Sequence, residues 1–283
     1  MSELRGTFAP VPTPFDRDGN LELAALGRHL TWLEGKGLDG ALVLGSNGEF
    51  PSLTLAERRA VAEAAAGAGT SLRLILNVGS CALGEVLELL RVAAGCGYAA
   101  VLCPPPFYFG EPPLDGLALF FEAVLDTSAQ PVLLYHIPQV TRVPISDGLL
   151  DRLQDHPNLA GVKDSSGDPS EMERLSPRFA SGAYLVGHDQ LVAACLERGG
   201  AGSITAAASV VPSMVRAVAR DRGRQAALDA VRAVLERFGL IVSVKTVLRH
   251  RGLGEYRCRP PLADLDAGRC KELLRLLAEL EAA

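Results

Sequence analysis

The sequence predicts a (β/α)8 barrel with a C-terminal helical extension, and three observations carry that reading. Apolar runs of strand length recur eight times, at residues 7–11, 41–44, 72–78, 99–103, 132–135, 159–162, 184–186 and 202–205. Nearly every gap between them holds a segment of helical period, and alternation of this kind means parallel pairing through right-handed crossovers. Eight such units within about 210 residues suit a closed barrel better than an open doubly wound sheet, which usually has fewer strands for its length.

The helical segments read as 21–33, 55–66, 83–94, 114–125, 145–153 and 191–196. Thr54 with Glu57 has the spacing of a capping box, and Ser146 precedes an apolar stripe. Asp168-Pro169-x-Glu171 sets a cap, a first-turn proline and an acid in order. Gly37, Gly40, Gly95 and Gly97 fall where helices give way to strands. After Ala208 the pattern is helical only, at 211–220, 225–237, 240–251 and 267–280. This divides the chain into a barrel, residues 1–222, and a helical extension, residues 223–283, packed on the barrel because no low-complexity linker separates them.

Of the 283 residues, 48% are hydrophobic and 22% charged, with a formal charge of −5. There is no basic excess for nucleic acid or an anionic membrane, and no uncharged run nears the roughly 20 residues of a membrane helix. The start, Met1-Ser2-Glu3-Leu4-Arg5-Gly6, lacks the form of a signal peptide. Six scattered cysteines without CxxC spacing read as reduced, mostly buried thiols, so the expected compartment is the cytoplasm.

In a barrel of this kind chemistry gathers at the C-terminal ends of the strands. The sixth apolar run, Leu159-Ala160-Gly161-Val162, ends on Lys163 in a chain where only four of 28 basic residues are lysines. A desolvated lysine can become a neutral amine and attack a carbonyl, whereas arginine cannot lose its proton. The other strand ends supply Gly45-Ser46-Asn47-Gly48-Glu49-Phe50, Pro104-Pro105-Pro106-Phe107-Tyr108-Phe109, Leu134-Tyr135-His136-Ile137-Pro138, Gly187-His188-Asp189 and Ile204-Thr205. Together they suit Schiff-base chemistry on a carbonyl substrate. Plainer readings stand beside each: a lysine reaching water, an ordinary strand-to-helix turn, a packed aromatic lid, a tyrosine hydrogen-bonded in the core. The rival barrel chemistry, metal-dependent hydrolysis, needs an early histidine pair, and the first strand has none; His29, His156 and His250 read as surface or structural.

These residues resemble the pyruvate-dependent class I aldolases typified by dihydrodipicolinate synthase and N-acetylneuraminate lyase. The likeness runs the length of the chain, through Gly45–Glu49, Tyr135-x-Ile137-Pro138, Lys163-Asp164-x-x-Gly167 and Gly187. It implies a barrel assembled as a tetramer of two tight dimers, a pyruvyl substrate, and no metal or other cofactor. It further implies that Lys163 forms the imine, that Tyr135 shuttles the proton, and that Ser46 relays it. Ser46, Asn47 and Gly48 would hold the pyruvyl carboxylate, Gly187 and Ile204 would line the pocket, and Tyr108 would reach a neighbouring subunit's site. Lysine-pathway synthases carry an arginine where this chain has Val140, and Arg142 lies two residues beyond. The loop from Gly45, Lys163-Asp164-Ser165 and Cys258-Arg259-x-Pro261-Leu262 look like the 4-hydroxy-2-oxoglutarate aldolase branch, with Ser165 a contact for the distal part of the substrate. Departures at His136 and Arg142 would reshape the acceptor side. The alternatives are another pyruvate aldolase of the family, a 2-keto-3-deoxy sugar acid aldolase, N-acetylneuraminate lyase or dihydrodipicolinate synthase, and, from another class, a catalytically silent 2-oxo-acid-binding barrel.

Overall fold

The computed structural model describes residues 4–282; residues 1–3 of the N-terminal stretch read above, and residue 283, lie outside them. Eight strands form the barrel: β1 Gly6–Pro10, β2 Gly40–Val43, β3 Arg73–Asn77, β4 Ala100–Cys103, β5 Val132–His136, β6 Leu159–Asp164, β7 Ala183–Val186 and β8 Gly202–Ile204. They pair in chain order, and β8 returns to lie parallel to β1, which closes the sheet. The crossovers carry α1 Leu23–Gly35, α2 Leu55–Ala66, α3 Leu83–Cys96, α4 Leu114–Thr127, α5 Pro138–Thr141, α6 Asp147–Leu153, α7 Pro169–Leu175 and α8 Val192–Glu197, and α9 Pro212–Arg220 follows β8. Three more helices complete the chain: α10 Gln225–Arg237, α11 Leu240–His250 and α12 Ala267–Ala282.

Local signals act as expected. The Thr54 side chain accepts the Glu57 N–H while Glu57 reaches back to the Thr54 N–H, so both exposed donors at the start of α2 are satisfied. Ser146 and Asp168 cap α6 and α7 through their side chains. Among the described residues, no helix is long and apolar enough to cross a membrane.

The core has two shells. Phe8, Leu42, Ile75, Leu102, Leu133 and Leu185 fill the barrel interior and floor the site, while a larger shell lies between sheet and helices. Lys163 is aimed by a break in this order. Leu159 belongs to the outer shell and Ala160 to the inner one, so strict alternation would send Lys163 outward. Instead the β5–β6 register shifts: Val132 pairs with Leu159, yet Leu133 already pairs with Gly161. The extra residue inverts the phase, Val162 packs under the helices, and Lys163 turns to the axis opposite Tyr135. The strand also runs two residues past the expected 159–162, to Asp164, whose carboxylate accepts the Tyr184 hydroxyl at 2.7 Å outside the sheet.

Gly161 is what the bulge requires, because a Cβ there would overlap the Ala183 carbonyl oxygen. Gly161→Ala is expected to push β6 off β7 and cost about 3 kcal/mol, since the obstacle is backbone. A denaturant titration reads this directly; an unchanged midpoint would show that the bulge admits a side chain.

Candidate active site

The turn after β2 is held from several sides. Leu44 adopts φ 60°, and the Asn77 amide donates to its carbonyl at 2.7 Å, which turns the chain into the short helical turn Ser46–Gly48. Gly48 does not line the cavity: its N–H donates to the Gly45 carbonyl at 2.9 Å and its own carbonyl accepts the Thr13 hydroxyl at 2.7 Å. Glu49, left-handed at φ 52°, buries its carboxylate against the ammonium of Lys245 from α11. Burial lowers the Lys245 ammonium below its ordinary range against the opposing pull of Glu49. Arg259 stacks on Phe15 at 4.2 Å and donates to the Ser52 carbonyl at 3.1 Å. Helix α11 and the segment at Cys258–Leu262 therefore brace the turn that presents Ser46 and Asn47.

Three side chains meet at the barrel mouth. The Tyr135 hydroxyl lies 3.2 Å from Lys163 Nζ and 3.2 Å from Ser46 Oγ, and the Lys163 ammonium sits 4.2 Å from the Tyr135 ring centroid. Burial pushes the phenol up, but the Lys163 charge and hydrogen bonds from Ser46, Ser165 and Lys163 outweigh it and hold the phenol below its ordinary value. The chain is thus a proton-sharing array inside a cavity of about 510 Å³. Asn47, Ser165, Gly187 and Ile204 line the same cavity. The Asn47 amide nitrogen is buried with no protein partner among the described residues. Gly187 is required by space, since a Cβ there would overlap Ser165 Oγ and lie 3.1 Å from Lys163 Cε.

Other residues fall elsewhere. Tyr108 is 82% exposed beside Phe109 and does not line this cavity. His136 does not reshape the acceptor side: on β5 it faces the helices, its Nδ1 accepting the Ile145 N–H at 3.2 Å and its Nε2 lying 2.9 Å from Glu171. Burial holds this imidazole below its ordinary range despite the Asp164 and Glu171 carboxylates. Arg142 ends α5 at φ 56°, exposed and off the cavity wall, while Val140 does line it. Only Cys103 and Cys195 are buried; the other four free thiols are partly exposed, contrary to the expectation of mostly buried ones. Among the described residues, no group of three or more His, Cys, Asp or Glu is placed to hold a metal ion.

No sequence motif marks Arg232 and Glu236, which α10 brings to the cavity wall. Arg232 donates to the fully buried Asp189 at 3.1 Å and to Glu236 at 2.8 Å. His188 lies beside them, 3.9 Å from Glu236, and burial together with the Arg232 charge lowers its imidazole below the ordinary value. On the other side of Ser46 and Tyr135 an apolar chamber of about 340 Å³ opens between Phe50, Phe107, Pro261 and Leu262.

An amine and a phenol in contact at the C-terminal mouth of a (β/α)8 barrel are the equipment of a lyase acting on a carbonyl compound. Comparison with known proteins names the family: the model of the dihydrodipicolinate synthetase family matches residues 3–280. The chain belongs to that family and is a lyase. It is 36% identical to an uncharacterized DapA-like lyase of Chloroflexus aurantiacus over 94% of this chain and 93% of the relative. It is 34% identical to 4-hydroxy-tetrahydrodipicolinate synthase 1 of Streptomyces coelicolor over 98% of this chain and 94% of the relative. Among solved structures, YagE, a prophage protein of the dihydrodipicolinic acid synthase family from E. coli K12 in complex with pyruvate, superposes with a TM-score of 0.92 at 25% identity, covering 99% of each chain.

Proposed function

We propose that the chain is a Schiff-base-forming class I aldolase that cleaves or forms a carbon–carbon bond next to a pyruvyl imine. The observation that carries it is the contact chain Lys163–Tyr135–Ser46 within one cavity at the barrel mouth. Pyruvate bound to YagE supports the same substrate half here. The Lys163 amine attacks the 2-oxo carbon and water leaves, giving the imine. In cleavage, Tyr135 takes the proton from the 4-hydroxyl, the C3–C4 bond breaks into an aldehyde, and its electrons enter the imine as an enamine. Protonation at C3 and hydrolysis then release pyruvate and restore the amine. Ser46 and the unpartnered Asn47 amide are the donors for the pyruvyl carboxylate. Treatment with pyruvate and borohydride, followed by peptide mass measurement, is expected to place a reduced pyruvyl adduct on Lys163; an unmodified Lys163 sinks the mechanism.

For the acceptor half, the sequence likeness makes 4-hydroxy-2-oxoglutarate, cleaved to pyruvate and glyoxylate, the first substrate to try. A second reading, a 2-keto-3-deoxy sugar acid with an uncharged acceptor, is favoured by one observation: the Arg232 guanidinium on the cavity wall is already paired with two carboxylates. Dihydrodipicolinate synthase activity is disfavoured by Val140 at the position of the synthase arginine.

The exposed Tyr108–Phe109 pair fits delivery of Tyr108 to the site of a second copy, in a homotetramer built as a dimer of dimers. Sedimentation velocity on the full chain is expected to show an oligomer at micromolar concentration, and a monomer that retains full turnover would remove Tyr108 from the mechanism.

A further inference from the structure

We infer that the acceptor end of the cavity is built for an uncharged, hydroxylated aldehyde, and that Glu236 is the residue that excludes a second carboxylate. This deepens the aldolase reading and rests on it. The pyruvyl carboxylate is assigned to the Ser46–Asn47 turn after β2, so the acceptor half extends toward other strand ends. Going round the closed barrel, β7 lies three strands from β2. Its end carries Gly187, His188 and Asp189, and α10 lays Arg232 and Glu236 over it.

The charges there do not suit a dicarboxylate. Among the described residues lining the cavity the cations are Lys163 and Arg232. Lys163 becomes the imine, whose positive charge balances the first carboxylate. Arg232 has 8% of its surface exposed and faces two carboxylates, with Asp189 at 3.1 Å and Glu236 at 2.6 Å from its terminal nitrogens. One guanidinium between two carboxylates leaves this wall with a net negative charge. A second substrate carboxylate would lose its water, find no uncommitted cation, and meet Glu236.

Hydroxyl groups would find partners. His188 Nδ1 is buried with no protein partner among the described residues, and a neutral imidazole can donate to or accept from a hydroxyl. Ser166 lines the cavity, and its Oγ accepts the Asp168 N–H at 3.2 Å, which leaves the hydroxyl proton to donate. A C4–C6 polyol chain matches these groups; a terminal carboxylate does not.

The test compares cleavage of 2-keto-3-deoxygluconate with that of 4-hydroxy-2-oxoglutarate, in wild type and Glu236→Gln, each as a ratio of kcat/KM. A uniform loss of activity or of folded protein cancels in that ratio. Wild type is expected to favour the sugar acid by at least about tenfold, which corresponds to about 1.4 kcal/mol. Glu236→Gln, which leaves Arg232 balanced by Asp189 alone, is expected to move the ratio toward the dicarboxylate by about the same factor. The inference is overturned by a wild type that prefers 4-hydroxy-2-oxoglutarate, by a ratio that Glu236→Gln leaves unchanged, or by turnover of neither substrate when the pyruvate adduct forms on Lys163. Absence of that adduct defeats the aldolase reading itself, and this inference with it.

Discussion

Replacing Lys163 by methionine is expected to lower cleavage at least about 10⁴-fold and to abolish borohydride trapping, while the protein stays folded. Methionine keeps most of the length of the side chain and its packing against the Tyr135 ring, but it has no nitrogen to form the imine. Lys163 is 3% exposed, so an apolar replacement is compatible with its surroundings, and the melting temperature should not fall by more than a few degrees. Lys163→Arg is the stricter companion. It keeps the positive charge that acts on the Tyr135 phenol, yet a guanidinium does not lose its proton near neutrality and cannot attack the carbonyl. If either variant still carries a pyruvyl adduct, the nucleophile lies elsewhere. The other buried lysine, Lys245, is a poor substitute because it is held by Glu49 and the Arg257 carbonyl and lies off the cavity wall.

What the sequence revealed and what it hid divide along physical lines. Signals made within a few residues were legible: the helix starting after Thr54 runs over the same residues, 55–66, that the capping box and period predict, because cap, acid and apolar stripe are one local device. Lys163 was legible as a residue type at a strand end, but not in its aim. Strict alternation points it outward, and the bulge that turns it inward depends on Gly161 fitting against Ala183 of the next strand. His136 misled for the opposite reason. It follows Tyr135 directly, so on a pleated strand it must face the other side, where Ile145 and Glu171 hold it. Arg232 and Glu236 gave no motif, since an i, i+4 ion pair on an amphipathic helix is ordinary surface chemistry until the chain folds back over β7. Glu49 was read with its loop, but its buried partner on α11 lies almost 200 residues downstream.

Tyr135→Phe is expected to reduce kcat by about 10²–10⁴-fold, the usual range for loss of a positioned acid–base group, with a smaller change in KM for the substrate. The phenol is the middle member of the array, 3.2 Å from both Lys163 and Ser46, so deleting its oxygen leaves an amine and a hydroxyl that no longer share a proton path. Imine formation should survive at a reduced rate, because Lys163 remains, and borohydride trapping of pyruvate separates this loss from loss of the nucleophile. The pH dependence gives a second, independent reading. Burial opposes ionisation of Tyr135, but the Lys163 charge and the surrounding hydrogen bonds prevail, so the group deprotonates below the pH of an ordinary tyrosine. A phenolate is the form that takes the 4-hydroxyl proton, and cleavage by the wild type should therefore rise with pH through an apparent value below that of free tyrosine. Tyr135→Phe removes the ionising oxygen, and the rising limb should disappear with it. A variant that keeps both the limb and more than a tenth of the wild-type kcat would assign the proton transfer to another group, with Ser46 the nearest one able to relay it.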